Sequence, residues 1–133
     1  MNNSTDYHQP VLEALSAFVR MGTETATGKG PPANDIQAAL TVMGRCISGF
    51  NERNLNLAKA HIPKADLSNA HLSSAHLGDA DLDSALLPRA DLSGADLISA
   101  HLTYANLSGA GLSGADLSSA HLTGRCSSAR RWL

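Results

Sequence analysis

The chain has 133 residues, a net charge of -2 and only 4% aromatic residues. This length predicts one domain, and the balanced charge excludes the broad basic surface typical of nucleic-acid-binding domains. The scarcity of aromatic residues also argues against a platform on which nucleic-acid bases stack. We therefore predict that the chain does not bind nucleic acid directly.

Two short helices and a flexible loop are predicted in the N-terminal segment, residues 1–54. Pro10 is well placed as a first helical residue, and apolar residues at helical spacing follow it, which predicts a helix over 10–20. Residues 22–33 are rich in Gly, Thr and Pro and are typical of a loop. A second amphipathic pattern predicts a helix over 35–45.

The most regular feature comes next, over residues 55–124: a five-residue period. Every fifth residue is Leu or Ile, and Ala stands two residues before nearly every one. Such a period fits neither a helix nor a strand, so it indicates an array of identical short units. We predict that the core ladder consists of Leu57, Ile62, Leu67, Leu72, Leu77, Leu82, Leu87, Leu92, Leu97, Leu102, Leu107, Leu112, Leu117 and Leu122. Arrays of this kind are usually scaffolds or binding surfaces.

The unit itself carries a family resemblance. It reads ADLSN at 65–69, ADLSG at 90–94, ANLSG at 105–109 and ADLSS at 115–119. Residues 55–124 thereby resemble the pentapeptide-repeat family. The resemblance implies a β fold, a right-handed quadrilateral β-solenoid with four pentads per coil, so the fourteen pentads predict about 3.5 coils. The two predicted helices would add a small N-terminal helical cap. It also implies that the central Leu and the preceding Ala point inward.

The residues support this architecture independently of the resemblance. Leu and Ala alternate in size at the inward positions, which suits a narrow core without voids. The outward positions hold Ser, Gly, Asn and Asp, which are turn formers. Pro63 and Pro88 both directly follow a central residue, so we predict that the N–H of this position is not needed for pairing.

The N-terminal segment has a second resemblance. The sequence DYHQPVLEALSAFVR followed by DIQAALTVMGR is similar to the helical segment that precedes the repeats in actinobacterial members of the family. Those relatives often have membrane-spanning helices further upstream. Two interpretations stay open: the segment caps the solenoid, with Phe18 and Phe50 as candidate plugs, or it is a remnant of a longer helical domain.

The repeat stops at residue 125, and residues 125–133 are predicted to be a C-terminal cap or tail. Arg125 stands where Ala is expected and Ser127 where Leu is expected. An exposed last coil with free backbone groups could instead pair with a second copy, giving a homodimer through the C-terminal coil. Cys46 and Cys126 flank the array at opposite ends, too far apart in a regular solenoid for an intrachain disulfide.

No stretch of the chain reaches the roughly 20 apolar residues that are needed to cross a bilayer. The first residues, MNNSTDYHQP, lack the basic and apolar regions of a signal peptide. We therefore expect no membrane span in this chain and a cytoplasmic location.

Candidate functional residues occupy the outward position just before each central residue, which holds mostly His, Asp and Asn. At four pentads per coil, residues twenty apart should stack in columns on one face. One column is His61, Asp81, His101 and His121, and another is Asn56, His76, Asp96 and Asp116. The predicted interaction face consists of Asp81, Asp96, His101, Asp116 and His121. Imidazoles and carboxylates in ladders could bind a metal or respond to pH, but ligands on a flat ladder do not converge tetrahedrally. We predict no metal site and no cofactor.

The sequence indicates a protein without catalysis. The Ser residues belong to the repeat, and no nucleophile-elbow, phosphate-binding or HExxH motif is present. We predict a non-enzymatic scaffold that presents a flat polar surface to an unknown protein partner.

Two alternatives stay open. The first is a DNA mimic that regulates a type II topoisomerase, as some members of the family do. Seven Asp against three basic residues give residues 55–124 a charge of -4, but the expected length of about 17 Å matches only roughly five base pairs. The second is a truncated soluble part of a membrane-associated pentapeptide-repeat protein.

Overall fold

The computed structural model describes residues 8–23, 28, 30–46 and 55–124. Helix α1 spans His8–Thr23 and helix α2 spans Asn34–Cys46. Both helices extend beyond the predicted ranges, and side chains explain two of their ends. The Asp35 carboxylate accepts the N–H of Ile36 in the first turn of α2, and the Thr23 hydroxyl donates to the carbonyl of Val19 at the end of α1.

The two helices share one hydrophobic core with the first coil of the repeat array. Helix α1 contributes Leu12 and Val19, and α2 contributes Ile36, Leu40 and Met43, all at most 5% exposed. Burial of this apolar face holds the helices in place.

The prediction that Phe18 plugs the end of the solenoid is wrong. Its side chain is 44% exposed, because the buried face of α1 is formed by Leu12 and Val19 instead. The other candidate plug, Phe50, lies outside the described residues.

Residues 55–124 wind into coils with a period of twenty residues. Ten parallel bridges connect them, and each bridge joins two residues twenty apart, from Asn56–His76 to His101–His121. Four pentads therefore complete one coil, and the seventy residues make three and a half coils. The bridge residues form four columns, which we number in chain order from Asn56, His61, Asp66 and His71.

Each pentad contains a tight turn, so the bridges are isolated and no continuous strand forms within residues 55–124. The N–H of each Ala bonds to the carbonyl of the central residue before it, as from Ala60 to Leu57 at 3.1 Å. The fifth residue of every pentad has a left-handed φ between 57° and 89°, as the third residue of a type II turn does. Ten of these fourteen residues are not glycine, at a cost of order 1–2 kcal/mol each.

Backbone hydrogen bonds between coils follow one rule. The central residue and the fifth residue donate forward, as Leu57 does to the His76 carbonyl at 2.8 Å and Lys59 to that of Gly78 at 2.9 Å. The residue before the central one donates backward, as His76 does to Leu55 at 2.8 Å. The N–H directly after the central residue takes no part in this ladder. Pro63 and Pro88 occupy that position, which confirms the prediction made for them.

The helices complete the ladder at its N-terminal edge, where no described residue belongs to an earlier coil that could receive the backward donors. The Gln37 side chain donates from Nε2 to the carbonyl of Asp66 at 2.8 Å, and its Oε1 accepts the Asp66 N–H at 2.9 Å. The His61 N–H donates to Thr23 Oγ1 at 3.2 Å, and the His71 N–H donates to the Gly44 carbonyl at 3.0 Å.

Burial of the inward residues changes along the solenoid. From Leu55 to Leu112 the inward Leu, Ile and Ala side chains are at most 5% exposed. In the last pentads Ala115, Leu117, Ala120 and Leu122 are only partly buried. The C-terminal coil is therefore the less covered end in the described part of the chain.

Neither α1 nor α2, the two helices of the described residues, is long and apolar enough to cross a membrane.

Candidate functional site

Acidic and amide side chains in the columns have a local structural role. Each one accepts the N–H of the residue two positions on, at 3.0–3.1 Å, and so closes an Asx turn over the N–H that the ladder leaves unused. The residues concerned are Asn56, Asp66, Asp81, Asp91, Asp96, Asn106 and Asp116. Their presence is therefore explained by turn formation.

Two of these carboxyl groups have altered acidity. Hydrogen bonds from the hydroxyl and then from the N–H of Ser68 hold the pKa of Asp66 below its ordinary value. Ser118 lowers the pKa of Asp116 in the same way. Both groups are therefore carboxylates at neutral pH, and both are engaged with their own turns.

The five residues of the predicted interaction face divide between two columns. Asp81, His101 and His121 lie in the second column, and Asp96 and Asp116 lie in the first. Within each column the residues occupy successive coils, as the twenty-residue spacing predicts.

His101 and His121 differ from the carboxylates because they close no Asx turn. Their rings stack on adjacent coils with centroids 4.8 Å apart and planes inclined by 23°, and both residues are exposed. In an Asx turn, an Asp at position 101 would accept the N–H of Thr103. Here that N–H donates instead to the Asp83 carboxylate of the preceding coil, at 2.9 Å. The two rings are thus available to a partner.

Tyr104 is a surface residue that the sequence analysis missed. Its side chain is 66% exposed, and its ring lies over Gly124 so closely that a Cβ there would be 2.4 Å from a ring carbon. Tyr104 follows His101 by three residues in the same pentad. The signal was an aromatic residue at an outward fifth position, which elsewhere holds small or polar residues.

His61, at the other end of the second column, makes two ring contacts. Its Nδ1 lies 2.8 Å from Asp81 Oδ2, and its Nε2 lies 2.6 Å from the carbonyl oxygen of Gly28 in the segment between the helices. The second column therefore joins the helical segment at one end and carries the stacked histidines at the other.

Among the residues that the structure describes, no group of three or more His, Cys, Asp and Glu side chains is arranged to hold a metal ion. The stacked rings of His101 and His121 lie nearly parallel, which does not direct two nitrogens at one ion. The Cys46 side chain and Cys126 lie outside the described part.

Comparison with known proteins agrees with this geometry. A family model described as pentapeptide repeats matches residues 53–87 and 90–124 with eight copies. A pentapeptide repeat protein from Nostoc Pcc 7120 is 31% identical, with a TM-score of 0.52 over 85% of this chain and 73% of the other. No curated protein matches.

Two further solved structures are similar over a smaller part. A pentapeptide repeat protein from the thylakoid lumen of Arabidopsis thaliana is 24% identical, with a TM-score of 0.41 over 72% of this chain and 56% of the other. Rfr23 from Cyanothece 51142 is 34% identical, with a TM-score of 0.21 over 56% of this chain and 60% of the other. The family implies a right-handed β-solenoid for the twenty-residue coils of this chain. Because the family match covers more than half of the chain, the chain belongs to the pentapeptide repeat family.

Proposed function

We propose that this chain is a non-enzymatic, four-sided scaffold that binds a protein partner through a surface of three residues, His101, His121 and Tyr104. We call these three residues the His–Tyr surface. The observation that supports the proposal is the exposed stack of two imidazoles, 4.8 Å apart. Tyr104, in the same pentad as His101, adds a side chain that is 66% exposed. Pentapeptide repeat proteins are generally non-enzymatic structural repeat proteins.

The physical properties of this surface suit protein recognition. Tyrosine is enriched at interfaces because it provides a large apolar area and a hydroxyl with few rotatable bonds. The backbone of both histidines is fixed by ladder bonds, from His101 N–H to the Ala80 carbonyl and from His121 N–H to that of Ala100. Such a preorganised surface loses little conformational entropy when a partner binds.

Affinity capture with matched variants tests the proposal. The test protein carries His101→Ser, His121→Ser and Tyr104→Ser. Ser is compatible with the left-handed backbone at position 104, because Ser99 and Ser119 adopt nearly the same φ in their own pentads. The control carries His71→Ser and His76→Ser, two exposed histidines in other columns. Partners from cytosolic and membrane fractions are identified by mass spectrometry and then measured with purified protein.

We expect one partner that binds the unchanged protein and the control and whose affinity falls at least tenfold with the triple variant, since about 1.4 kcal/mol corresponds to a factor of ten. Equal binding by both variants would reject the His–Tyr surface. Topoisomerase subunits among the partners would instead favour the DNA-mimic alternative. A partner from the membrane fraction alone would favour the membrane-associated alternative.

We also propose that the C-terminal coil pairs with a second copy of the chain. The partial exposure of Ala115, Leu117, Ala120 and Leu122 supports this, because partly exposed apolar side chains at the end of a stack of coils favour association. Sedimentation velocity tests it: we expect a concentration-dependent dimer that Leu122→Lys dissociates. A monomer at all concentrations would contradict the proposal.

A further inference from the structure

The ring of His61 lies between two oxygen atoms that belong to different parts of the molecule. Asp81 Oδ2, on the next coil, is 2.8 Å from Nδ1, and the Gly28 carbonyl oxygen, between α1 and α2, is 2.6 Å from Nε2. Both distances are within hydrogen-bonding range. The ring therefore connects the interhelical segment to the solenoid.

The chemistry of the two oxygens determines the protonation that both bonds require. An ionised carboxylate and a backbone carbonyl only accept hydrogen bonds. A neutral imidazole carries one N–H and can therefore make one of the two bonds, whereas the imidazolium carries two N–H groups and makes both. We propose that His61 is a pH-sensitive clasp that, as the imidazolium, fastens the segment at Gly28 to Asp81, and that it releases one of its two bonds on losing a proton.

Among the described residues, Asp81 is the ionised group in contact with the His61 ring. The cavity beside it, about 270 Å³, is lined by Thr23 from α1, by Ile36 from α2, and by Gly22, Gly28, Gly30, Pro31, Pro32, Ala33 and Pro63, none of which titrates. Beyond Asp81 the next titratable residue of the column is His101. The second oxygen of Asp81, Oδ1, accepts the N–H of Asp83.

The direction of the pH response follows from these contacts. The imidazolium makes both bonds, so Gly28 is held most firmly while the ring is protonated. Once the ring loses its proton at higher pH, one bond is lost while the His61 N–H bond to Thr23 and the apolar packing of the helices remain. The clasp therefore loosens the attachment at Gly28 without releasing the helices.

Nuclear magnetic resonance of the unaltered protein gives the first test. At pH 5.5 we expect two ring N–H signals from His61 that exchange slowly with water, whereas His76, which is exposed, gives none. At pH 8.5 one His61 signal should remain. Detection of only one slow N–H signal at pH 5.5 would overturn the clasp.

Hydrogen exchange at the N–H groups of Gly28, Lys29, Gly30 and Ala33 gives the second test, since Pro31 and Pro32 between them have no N–H. After correction for intrinsic rates, we expect exchange roughly three- to tenfold faster at pH 8.5 than at pH 5.5, the range that one net hydrogen bond provides. Asp81→Asn is the matched variant. Its oxygen can still accept the Asp83 N–H while its NH₂ donates to the neutral ring, so the pH dependence should disappear or reverse. An unchanged rate in the natural protein, or the same dependence in Asp81→Asn, would overturn the proposal.

Discussion

The two ends of the solenoid are finished in different ways. At the N-terminal edge, the backward N–H groups of His61, Asp66 and His71 all find acceptors on α1 or α2. At the C-terminal edge, the inward residues Leu117 and Leu122 are only partly buried. A sheet edge with unpaired groups is a template for association. Within the described residues, the difference therefore indicates a stack whose N-terminal edge pairs with the helices and whose C-terminal end is less covered.

The N-terminal edge also shows how a helix can replace a coil. The Gln37 amide carries one acceptor and one donor group, and it meets both the N–H and the carbonyl of Asp66. It thereby replaces the carbonyl and the N–H that two residues of a preceding coil supply elsewhere, as Leu55 and Leu57 do for His76. Gly44 comes so close to Ala70 that a Cβ on it would lie 2.9 Å from the Ala70 Cβ.

The largest expected effect comes from shortening two equivalent core residues, one in the middle of the array and one near its C-terminal end. Leu77 is fully buried, at 0% exposure, and Leu117 occupies the same register two coils later. Leu77→Ala should lower the free energy of unfolding by about 3 kcal/mol, and Leu117→Ala by roughly half as much, because a cavity near an open end is hydrated. Chemical denaturation measures both values. Equal losses would mean that the C-terminal coil is as well covered as the middle.

A bulky residue at Gly44 should disrupt the N-terminal edge specifically. Gly44→Val places methyl groups against Ala70, and we expect a loss of about 2 kcal/mol in stability from overpacking. Ala38→Val is the control, since Ala38 is exposed on the same helix and a surface substitution is worth about 0.5 kcal/mol or less. Thermal unfolding that ranks the two variants equally would show that the close approach is unimportant.

Removing the Gln37 amide should have a moderate effect on the same edge. Gln37→Ala removes the side-chain partners of the Asp66 N–H and carbonyl, which lie near solvent, so we expect a loss of about 1 kcal/mol and faster hydrogen exchange at the Asp66 N–H. Gln37→Glu keeps an acceptor and loses the donor, and should therefore lie between the natural protein and Gln37→Ala. An Asp66 N–H whose exchange is unaffected by either change would contradict the bonding described.

The smallest effect concerns the two serine-bound carboxyl groups, Asp66 in the first coil and Asp116 in the last. Each has a lowered pKa in the folded protein, so each stabilises the fold at neutral pH and loses that contribution as the pH falls through the folded pKa. Ser68→Ala and Ser118→Ala should each raise the pKa of the neighbouring carboxyl. Carbon-detected titration of the carboxyl groups measures this, with Asp91 and its Ser93 left intact as the internal control.

Much of this architecture could be predicted because the pattern is periodic. The inward register of Leu and Ala and the twenty-residue columns follow from one repeated unit, so a single inference covers residues 55–124. The roles of Gln37, Gly44 and Thr23 could not be predicted, because each is one residue that meets one irregular edge. Phe18 misled for the same reason: its helical spacing identified an apolar pattern around α1 without revealing which side would be covered.

The site was predicted less well than the fold. The sequence places His61, Asp81 and His101 in one column, yet it reveals neither that Asp81 closes a turn nor that the His61 ring also meets the Gly28 carbonyl. Tyr104 occupies a position that the repeat treats as a turn residue, so its exposure depends on the local packing against Gly124. The periodic pattern thus defines where outward residues stand, but their individual contacts depend on neighbours twenty residues away.

The twenty-residue coil has a consequence for how such a protein can change during evolution. Inward positions recur every five residues, whereas surface residues that are neighbours in a column lie twenty residues apart. Loss of one pentad between Asp81 and His101 would leave every Leu and Ala inward, yet it would place Asn106 beside Asp81 in the place of His101. Gain of a whole coil would lengthen the rod and preserve the columns. Duplication or deletion of single pentads can therefore rearrange the entire surface downstream while the interior remains unaltered.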